Sequence, residues 1–289
     1  MNRIAIITDS NCGITQNEAK TLGISVLPMP FMMDGEVYLE DITLSGAAFY
    51  EKLAADAAIS TSAPSVQDVT ELWDGLLRTH DEIVHIPMSS GLSSSCEIAL
   101  ALASEYNGAV QVVDNKRISV TQRLSVTDAI TLAEAGHTAA EIKQLLEENS
   151  LQSSIYIMVD TLKYLKRGGR ITPTAAAIGT VLNIKPVLQI QGARLDAFAR
   201  VKGVKAAKRT MIEAMKKDLA GRFANEAAAG QMELMVAYTY DLAAAEAFKT
   251  EIEEAFPGFP IRMDALSLSV SCHIGSGALA VACAKRQVL

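Results

Sequence analysis

Short, continuously apolar segments recur through the first half of the chain, and stretches with helical spacing separate them. Residues 3–8, 24–29, 82–88 and 110–114 have the length and character of strands buried on both faces. Residues that cap helices precede the intervening segments, at Thr15, Ser45, Ser65 and Thr138. Strands separated by helices predict an α/β fold, with a parallel sheet between two helical layers.

The second half mixes hairpin and helical patterns. Strand-like residues 186–190 and 194–201 flank Gln191-Gly192-Ala193, which predicts a hairpin, and a basic helix is expected over 205–220. A last helix is expected after the Ser271–Gly277 turn. This mixture is typical of an α+β domain. We therefore predict two domains, 1–150 and 151–289.

Composition and charge narrow the class of protein. Hydrophobic residues make up 49% of the chain and aromatic residues only 5%, so the core is aliphatic, as suits either an ordinary α/β core or an apolar tunnel. Residues 1–159 carry 8 Lys/Arg against 21 Asp/Glu, whereas residues 160–218 carry 13 against 4. A basic face could meet an anionic group or an acidic partner, or simply be solvated. With neither a signal peptide nor a membrane span evident, we expect a cytoplasmic protein.

Candidate chemistry lies in three polar segments. Ser89–Ser95 holds five serines in seven residues, between a predicted strand and a predicted helix, where an anion can bind to backbone N–H groups and hydroxyls. Thr61-Ser62 offers two further hydroxyls before a helix, and His273 lies in a glycine-flanked turn. Any of these serines can instead be a helix cap, and composition alone does not choose between a carboxylate and a phosphate.

Other functional classes are tested by their motifs. The chain has neither a phosphate-binding P-loop nor a G-x-S-x-G elbow, and its four cysteines form no C-x-x-C pair. A Ser–His acyl hydrolase or transferase using Ser93 and His273 remains an alternative, although the sequence identifies no orienting acid. A regulatory protein that binds a partner through the basic segment is a second alternative. Few aromatics interrupt that segment, which argues against binding of single-stranded nucleic acid.

Several motifs, in this order and spacing, resemble the DegV family of bacterial fatty-acid-binding proteins. The resemblance spans the whole chain, and the matching segments are Asp9-Ser10, Thr61-Ser62-Ala63-Pro64-Ser65, Ser89-Ser90-Gly91-Leu92-Ser93, Val159-Asp160-Thr161-Leu162, Leu165-Lys166-Arg167-Gly168-Gly169-Arg170-Ile171, Leu182-Asn183-Ile184-Lys185-Pro186 and His273-Ile274-Gly275-Ser276-Gly277-Ala278. Four positions depart from the family pattern. Ser94-Ser95 replaces Gly and Thr, Ser276 replaces proline, and Lys202 replaces arginine, which lysine does not match as a bidentate donor.

The resemblance implies a lipid carrier rather than an enzyme, with a long-chain fatty acid such as palmitate in a tunnel between two domains. It implies a carboxylate held by Thr61 and Ser93, with Ser62 and His273 beside them, on a loop supported by Ser90, Gly91 and Ser94. No cofactor, metal or nucleic acid is implied.

The resemblance also implies a partner. In the fatty-acid kinase system, a separate kinase subunit makes an acyl phosphate for phospholipid synthesis and docks on a basic surface. The matching partner-facing residues here are Arg170, Arg200, Lys202 and Lys205. Transient contact with a membrane surface is compatible with such a carrier.

Overall fold

The structure is a computed structural model and describes residues 3–40, 42–176 and 184–288. Its strands are β1 Ile4–Asp9, β2 Ser25–Leu27, β3 Pro30–Met33, β4 Glu36–Leu39, β5 Ile59–Thr61, β6 Glu82–Ile86, β7 Val110–Val112, β8 Ser153–Met158, β9 Ile184–Ile190, β10 Asp196–Lys202, β11 Met232–Tyr238, β12 Ile261–Ala265 and β13 Leu279–Lys285. Its α-helices are α1 Gln16–Leu22, α2 Gly46–Ala54, α3 Val66–Leu77, α4 Ser95–Ala103, α5 Ser119–Glu134, α6 Ala139–Glu148, α7 Lys163–Gly168, α8 Pro173–Ala176, α9 Val204–Ala220, α10 Ala224–Ala228, α11 Leu242–Ala255 and α12 Leu268–Ile274. The motif residues Leu182 and Asn183 lie outside the described residues.

The first sheet has the order β2-β1-β6-β7, and every strand pair in it is parallel. Trp73 of α3 and Cys96 of α4 pack on one face, while Val126 of α5 and Ile142 of α6 pack on the other. Burial on both faces explains why these strands read as continuous apolar runs. The predicted three-layer α/β architecture is confirmed.

The second sheet has the order β10-β9-β8-β13-β11-β12, in which only the β11–β12 pair is parallel. Met211 and Met215 of α9 and Phe248 of α11 cover one face. The other face belongs to a core that also contains Met88 and Val120 from the first half of the chain. The two halves therefore share one apolar core. The domain boundary near residue 150 stays a prediction.

A third, small sheet has the order β4-β3-β5. The β3–β4 turn has positive φ at Asp34 (53°) and Gly35 (86°), the conformation that favours an Asp-Gly pair in a tight hairpin. Its inner residue Phe31 packs with Phe49 of α2 and Cys272 of α12. This sheet thus joins a helix from each half of the chain.

The prediction of a last helix after Gly277 is wrong. Residues 279–285 form β13, a central strand of the second sheet, and Ser271–Ile274 belongs to α12. Alanine is the best helix former, so the segment Leu279–Ala284 resembles a helix. It forms a strand because both of its faces are buried. Over the described ranges, no helix combines the length and apolar character needed to cross a bilayer.

Candidate functional site

An apolar cavity of about 340 Å³ lies within the core that the two halves share. Its aliphatic lining comes from the second sheet, from α12 and from the loops that follow β2, β6 and β7, and includes Met29, Met88, Ile118, Ile155, Ile157, Ile190, Leu266 and Ala280. These side chains are all buried. A space of this size and lining is typical of a site for an apolar small molecule.

Several polar side chains line this cavity, and the part around Thr61 and His273 is here called its polar end. Thr61 Oγ1 and His273 Nε2 lie 2.9 Å apart and form a hydrogen bond, although 212 residues separate them. Ser62, Ser93 and Ser94 line the same cavity. Thr61, Ser93 and His273 are half-buried, and Ser62 and Ser94 are exposed. The polar end therefore reaches solvent, whereas the eight aliphatic side chains named above do not.

The His273 ring is held tightly and stays uncharged near neutral pH. Burial, with a smaller contribution from the Arg170 charge, lowers the pKa of His273 to about 4. The ring packs against Gly168, where an added Cβ would lie 2.1 Å from its Nδ1 atom. Only glycine fits there, and Gly169 ends α7 with a φ of 67°. Gly168 thus allows the His273 ring to pack closely, and Gly169 allows the turn that ends α7.

Ser93 is oriented by its neighbour in the serine loop. Its Oγ accepts hydrogen bonds from the Ser95 backbone N–H (3.2 Å) and the Ser95 hydroxyl (3.0 Å). Its own hydroxyl proton is therefore available to an acceptor in the cavity. Ser94, at the cap position of α4, makes no side-chain cap hydrogen bond. These serines exceed what helix capping uses.

Ser90 and Gly91 support the loop without lining the cavity. The Ser90 hydroxyl donates to Asp114 Oδ2 at 2.8 Å and accepts from Lys116 Nζ at 2.8 Å. A Cβ on Gly91 would lie 2.2 Å from the Ala193 carbonyl oxygen, so the loop packs directly on the β9–β10 turn. The support that we expected from these two residues consists of contacts around the loop.

The four predicted partner-facing basic residues are all exposed. Arg170 follows α7 and lines the cavity. Arg200 and Lys202 lie on β10, the edge strand of the second sheet, and Lys205 is in the first turn of α9. Only Arg170 of the four lines the cavity, so the other three can serve a surface role alone.

The sequence did not reveal a buried polar network beside the cavity. Glu40, 7% exposed, accepts hydrogen bonds from the Leu268 backbone N–H and from the Ser10 hydroxyl, the latter at 2.9 Å. Ser269 lies 3.2 Å from Glu40 Oε2 and donates to Asn11 Oδ1 at 2.6 Å. Burial raises the pKa of Glu40 to about 7. No local pattern marks this residue, because its partners on α12 lie more than 220 positions away.

The metal-binding and Ser–His alternatives are compared with the geometry of the described residues. The described residues contain no group of three His, Cys, Asp or Glu side chains arranged to hold a metal ion. His273 Nε2 bonds to Thr61, and in the part of the chain that the structure describes no hydrogen bond joins it to Ser93. The Ser–His pairing that a hydrolase would need is therefore not formed.

A buried apolar cavity lined by the second sheet and by loops of the first half, with several hydroxyl groups in its lining, is typical of a protein that binds an apolar small molecule. A sequence model of the DegV family, described as uncharacterised proteins, matches residues 3–286. A DegV domain-containing protein of Clostridium perfringens is 31% identical, over 97% of each chain. This chain therefore belongs to the DegV family.

Solved structures agree in fold. A DegV family protein from Thermus thermophilus, described by its fatty acid binding, has a TM-score of 0.87 and 28% identity, covering 98% of this chain and 99% of its own. DegV from Bacillus subtilis, described as a fatty acid binding protein, has a TM-score of 0.85 and 25% identity, covering 99% and 100%. The resemblance found in the sequence is thus confirmed for the family and for the fold.

Proposed function

We propose that this protein binds a long-chain fatty acid in the 340 Å³ cavity and exposes its carboxylate to a partner. The observation that carries the proposal is the joining of a buried aliphatic cavity to the Thr61–His273 hydrogen bond at its solvent-exposed end. Two similar DegV structures are described as binding fatty acids, which agrees with this ligand.

The head group is held mainly by uncharged donors, and Arg170 is the one charged side chain in the described lining of the cavity. Thr61 and Ser93 offer hydroxyl protons and Ser62 adds a third hydroxyl. The neutral His273 ring donates from Nε2–H to Thr61 Oγ1, which leaves the Thr61 proton free for the ligand. Hydrogen bonds to a charged acceptor contribute roughly 1.5–3 kcal/mol each. An arginine clamp would hold a carboxylate more strongly. Neutral donors therefore suit a site that must also release its ligand.

Most of the affinity comes from the tail. Each methylene transferred from water to an apolar site contributes about 0.8 kcal/mol. A tail of palmitate length, at about 11 kcal/mol, thus contributes more than the head-group hydrogen bonds together, which mainly fix the orientation. We infer that the carboxylate lies at the Thr61 end, because Thr61, Ser62 and Ser93 there offer several donors together with access to solvent.

The first test is the identity of the molecule that accompanies the purified protein. Solvent extraction followed by mass spectrometry is expected to yield close to one fatty acid per chain. Delipidated protein should then rebind palmitate, and Ser93→Ala should weaken this binding about tenfold or more. Ser104→Ala is the matched control, because it removes an exposed hydroxyl that donates to the Ala101 carbonyl oxygen of the preceding helix α4. Protein that rebinds no fatty acid would refute the proposal.

The partner proposed from the family resemblance is a separate ATP-using fatty-acid kinase. The exposed carboxylate end, with Arg170 beside it, supports this proposal, as does the basic edge formed by Arg200, Lys202 and Lys205. Arg200→Glu should raise the Km of the kinase for the loaded carrier and leave the Kd for palmitate unchanged. Lys20→Glu, on α1 of the acidic half, is the control. Equal kinase kinetics for Arg200→Glu and Lys20→Glu would argue against docking at this edge.

A further inference from the structure

Glu40 is a buried carboxyl group, 7% exposed. In the described residues it forms no ion pair, and hydrogen bonds from Ser10, Leu268 and Ser269 are its polar contacts. An ionised carboxylate in such a position is costly, because hydrogen bonds replace only part of its hydration. A neutral side chain would meet the same hydrogen bonds at lower cost. The presence of an ionisable carboxyl group at this buried position therefore calls for an explanation.

The network around Glu40 can accommodate a proton. When Glu40 is ionised, Oε2 accepts from the Ser10 hydroxyl at 2.9 Å. When Glu40 is protonated, its O–H can donate to Ser269 Oγ at 3.2 Å, and the Ser269 hydroxyl donates onward to Asn11 Oδ1 at 2.6 Å. The Leu268 N–H bond to Oε1 survives in both states. Neither state leaves a Glu40 oxygen without a partner.

This network borders the proposed ligand. Asn11 and Ser269 both line the cavity. Ser269 and His273 are four residues apart on α12, so they lie on one face of the helix, one turn apart. The order in space is thus Glu40, Ser269, His273 and then Thr61. A carboxylate held at Thr61 and His273 would lie roughly 10 Å from the Glu40 carboxyl group.

We propose that the fatty-acid anion binds together with a proton, which Glu40 takes up. This inference rests on the proposed function. The bound carboxylate repels an ionised Glu40, and the tail removes water from the cavity wall that Asn11 and Ser269 form. Both effects favour the protonated carboxyl group. By linkage, a proton taken up on binding makes the affinity fall as the pH rises.

The size and the pH range of the effect follow from the structure. Burial already raises the pKa of Glu40 to about 7 in the chain without ligand. Repulsion across about 10 Å at an effective dielectric constant near 20 corresponds to roughly one further pKa unit. The Kd for palmitate should therefore rise about tenfold from pH 6 to pH 9. At pH 7.5, binding should take up about half a proton.

Other titratable groups near Glu40 either titrate outside the range from pH 6 to pH 9 or are distinguished from Glu40 by the variants below. Tyr50 of α2 has its pKa raised to about 12, and burial also raises the pKa of Cys272 on α12. The pKa of His273 is lowered to about 4, below the range. Asp9, next to Ser10, is a buried carboxyl group whose pKa is raised, and its own partners are Met88, Asn11 and Gln122. Asp9 is therefore the competing source of proton uptake.

The test is calorimetric titration of palmitate into delipidated protein from pH 6 to pH 9, in buffers of different ionisation enthalpy. The wild type should show the tenfold change and the proton uptake. Glu40→Gln should bind with a Kd that changes less than twofold over this range. Asp128→Asn, which removes another buried carboxyl group with a pKa raised to about 7 but away from the cavity, should keep the wild-type pH dependence.

A second measurement needs no variant. Infrared difference spectra at pH 7.5, recorded with ¹³C-carboxyl palmitate, should show a protonated-carboxyl band of the protein appearing on binding. Absence of that band, or a full pH dependence retained in Glu40→Gln and so attributable to Asp9, would overturn the inference. Binding that does not vary with pH would overturn this inference alone. Protein that binds no palmitate at any pH would overturn the proposed function with it.

Discussion

The substitution Ala280→Leu tests where the tail lies. Ala280 is on β13, is 2% exposed and lines the cavity. Leucine adds three carbon atoms on that wall and so removes room for about three methylenes. At about 0.8 kcal/mol per methylene, the loss is about 2.4 kcal/mol, close to a 60-fold increase in Kd for a tail that fills the cavity. A fatty acid three or four carbons shorter should bind Ala280→Leu as it binds the wild type.

The same strand provides the control. Ala282 is two residues further along β13, on the same face and in the same core, but it does not line the cavity. Ala282→Leu should overpack the core and lower the free energy of unfolding by about 1–3 kcal/mol. Ala280→Leu should change the stability of the ligand-free protein much less, because the cavity accepts the new side chain. Ala282→Leu is thus expected to be the less stable variant, and Ala280→Leu the variant that binds palmitate more weakly.

The assay is displacement of a fluorescent fatty acid by unlabelled acids of increasing length, together with urea unfolding of the delipidated variants. A tail position beside Ala280 is refuted if Ala280→Leu binds palmitate as tightly as the wild type. It is also refuted if Ala280→Leu and Ala282→Leu weaken palmitate binding equally, because the loss would then reflect general core strain.

Three further predictions concern the head-group end, the serine loop and pH. Thr61→Val should weaken palmitate binding by about 1.5–3 kcal/mol in calorimetric titration, with a smaller loss when His273→Gln is already present, because the two groups share one hydrogen bond. Gly91→Ala should lower the free energy of unfolding by about 1–3 kcal/mol through its clash with the β9–β10 turn, whereas Gly75→Ala, in open space on α3, should raise it by about 0.5–1 kcal/mol in urea denaturation. Burial raises the pKa of Asp128 from 3.8 to about 7, so the folded state holds a proton that the unfolded state has lost, and stability falls as the pH rises from about 4 to 7. Asp128→Asn should therefore reduce the fall in unfolding free energy between pH 5 and pH 8 by roughly 2 kcal/mol, and an unchanged fall would contradict the assignment.

Local patterns predicted much of the fold because the physics that they report is local. Thr15 and Thr138 accept a hydrogen bond from the third residue of their helices, as a cap sequence predicts. The Asp34-Gly35 turn needs two positive φ angles, which this pair tolerates. The β13 strand was missed because alanine favours helices in isolation, and its position between β8 and β11 decides its structure.

The site depends on contacts that no local pattern records. Thr61 and His273 are 212 residues apart, and Glu40 contacts Leu268 across 228. In the sequence, Thr61 and His273 are separate candidates, and only the family resemblance joins them in one site. Sequence reasoning did not reach Glu40, because a single acid shortly after an Asp-Gly pair has the appearance of an ordinary surface residue. Its burial is set by α12, whose N-terminus it meets.

The division of the head-group site between the two halves has a consequence for ligand exchange. Thr61 and Ser93 precede residue 150, whereas His273 follows it, so the polar end is complete only when the halves are packed together. Glu40 links the same halves through the other end of α12. Any motion that draws α12 away from the small sheet would therefore break the Thr61–His273 bond and the Glu40 contacts together. A fatty acid bound at this site should accordingly stabilise the packing of α12, and its release should be coupled to both bonds.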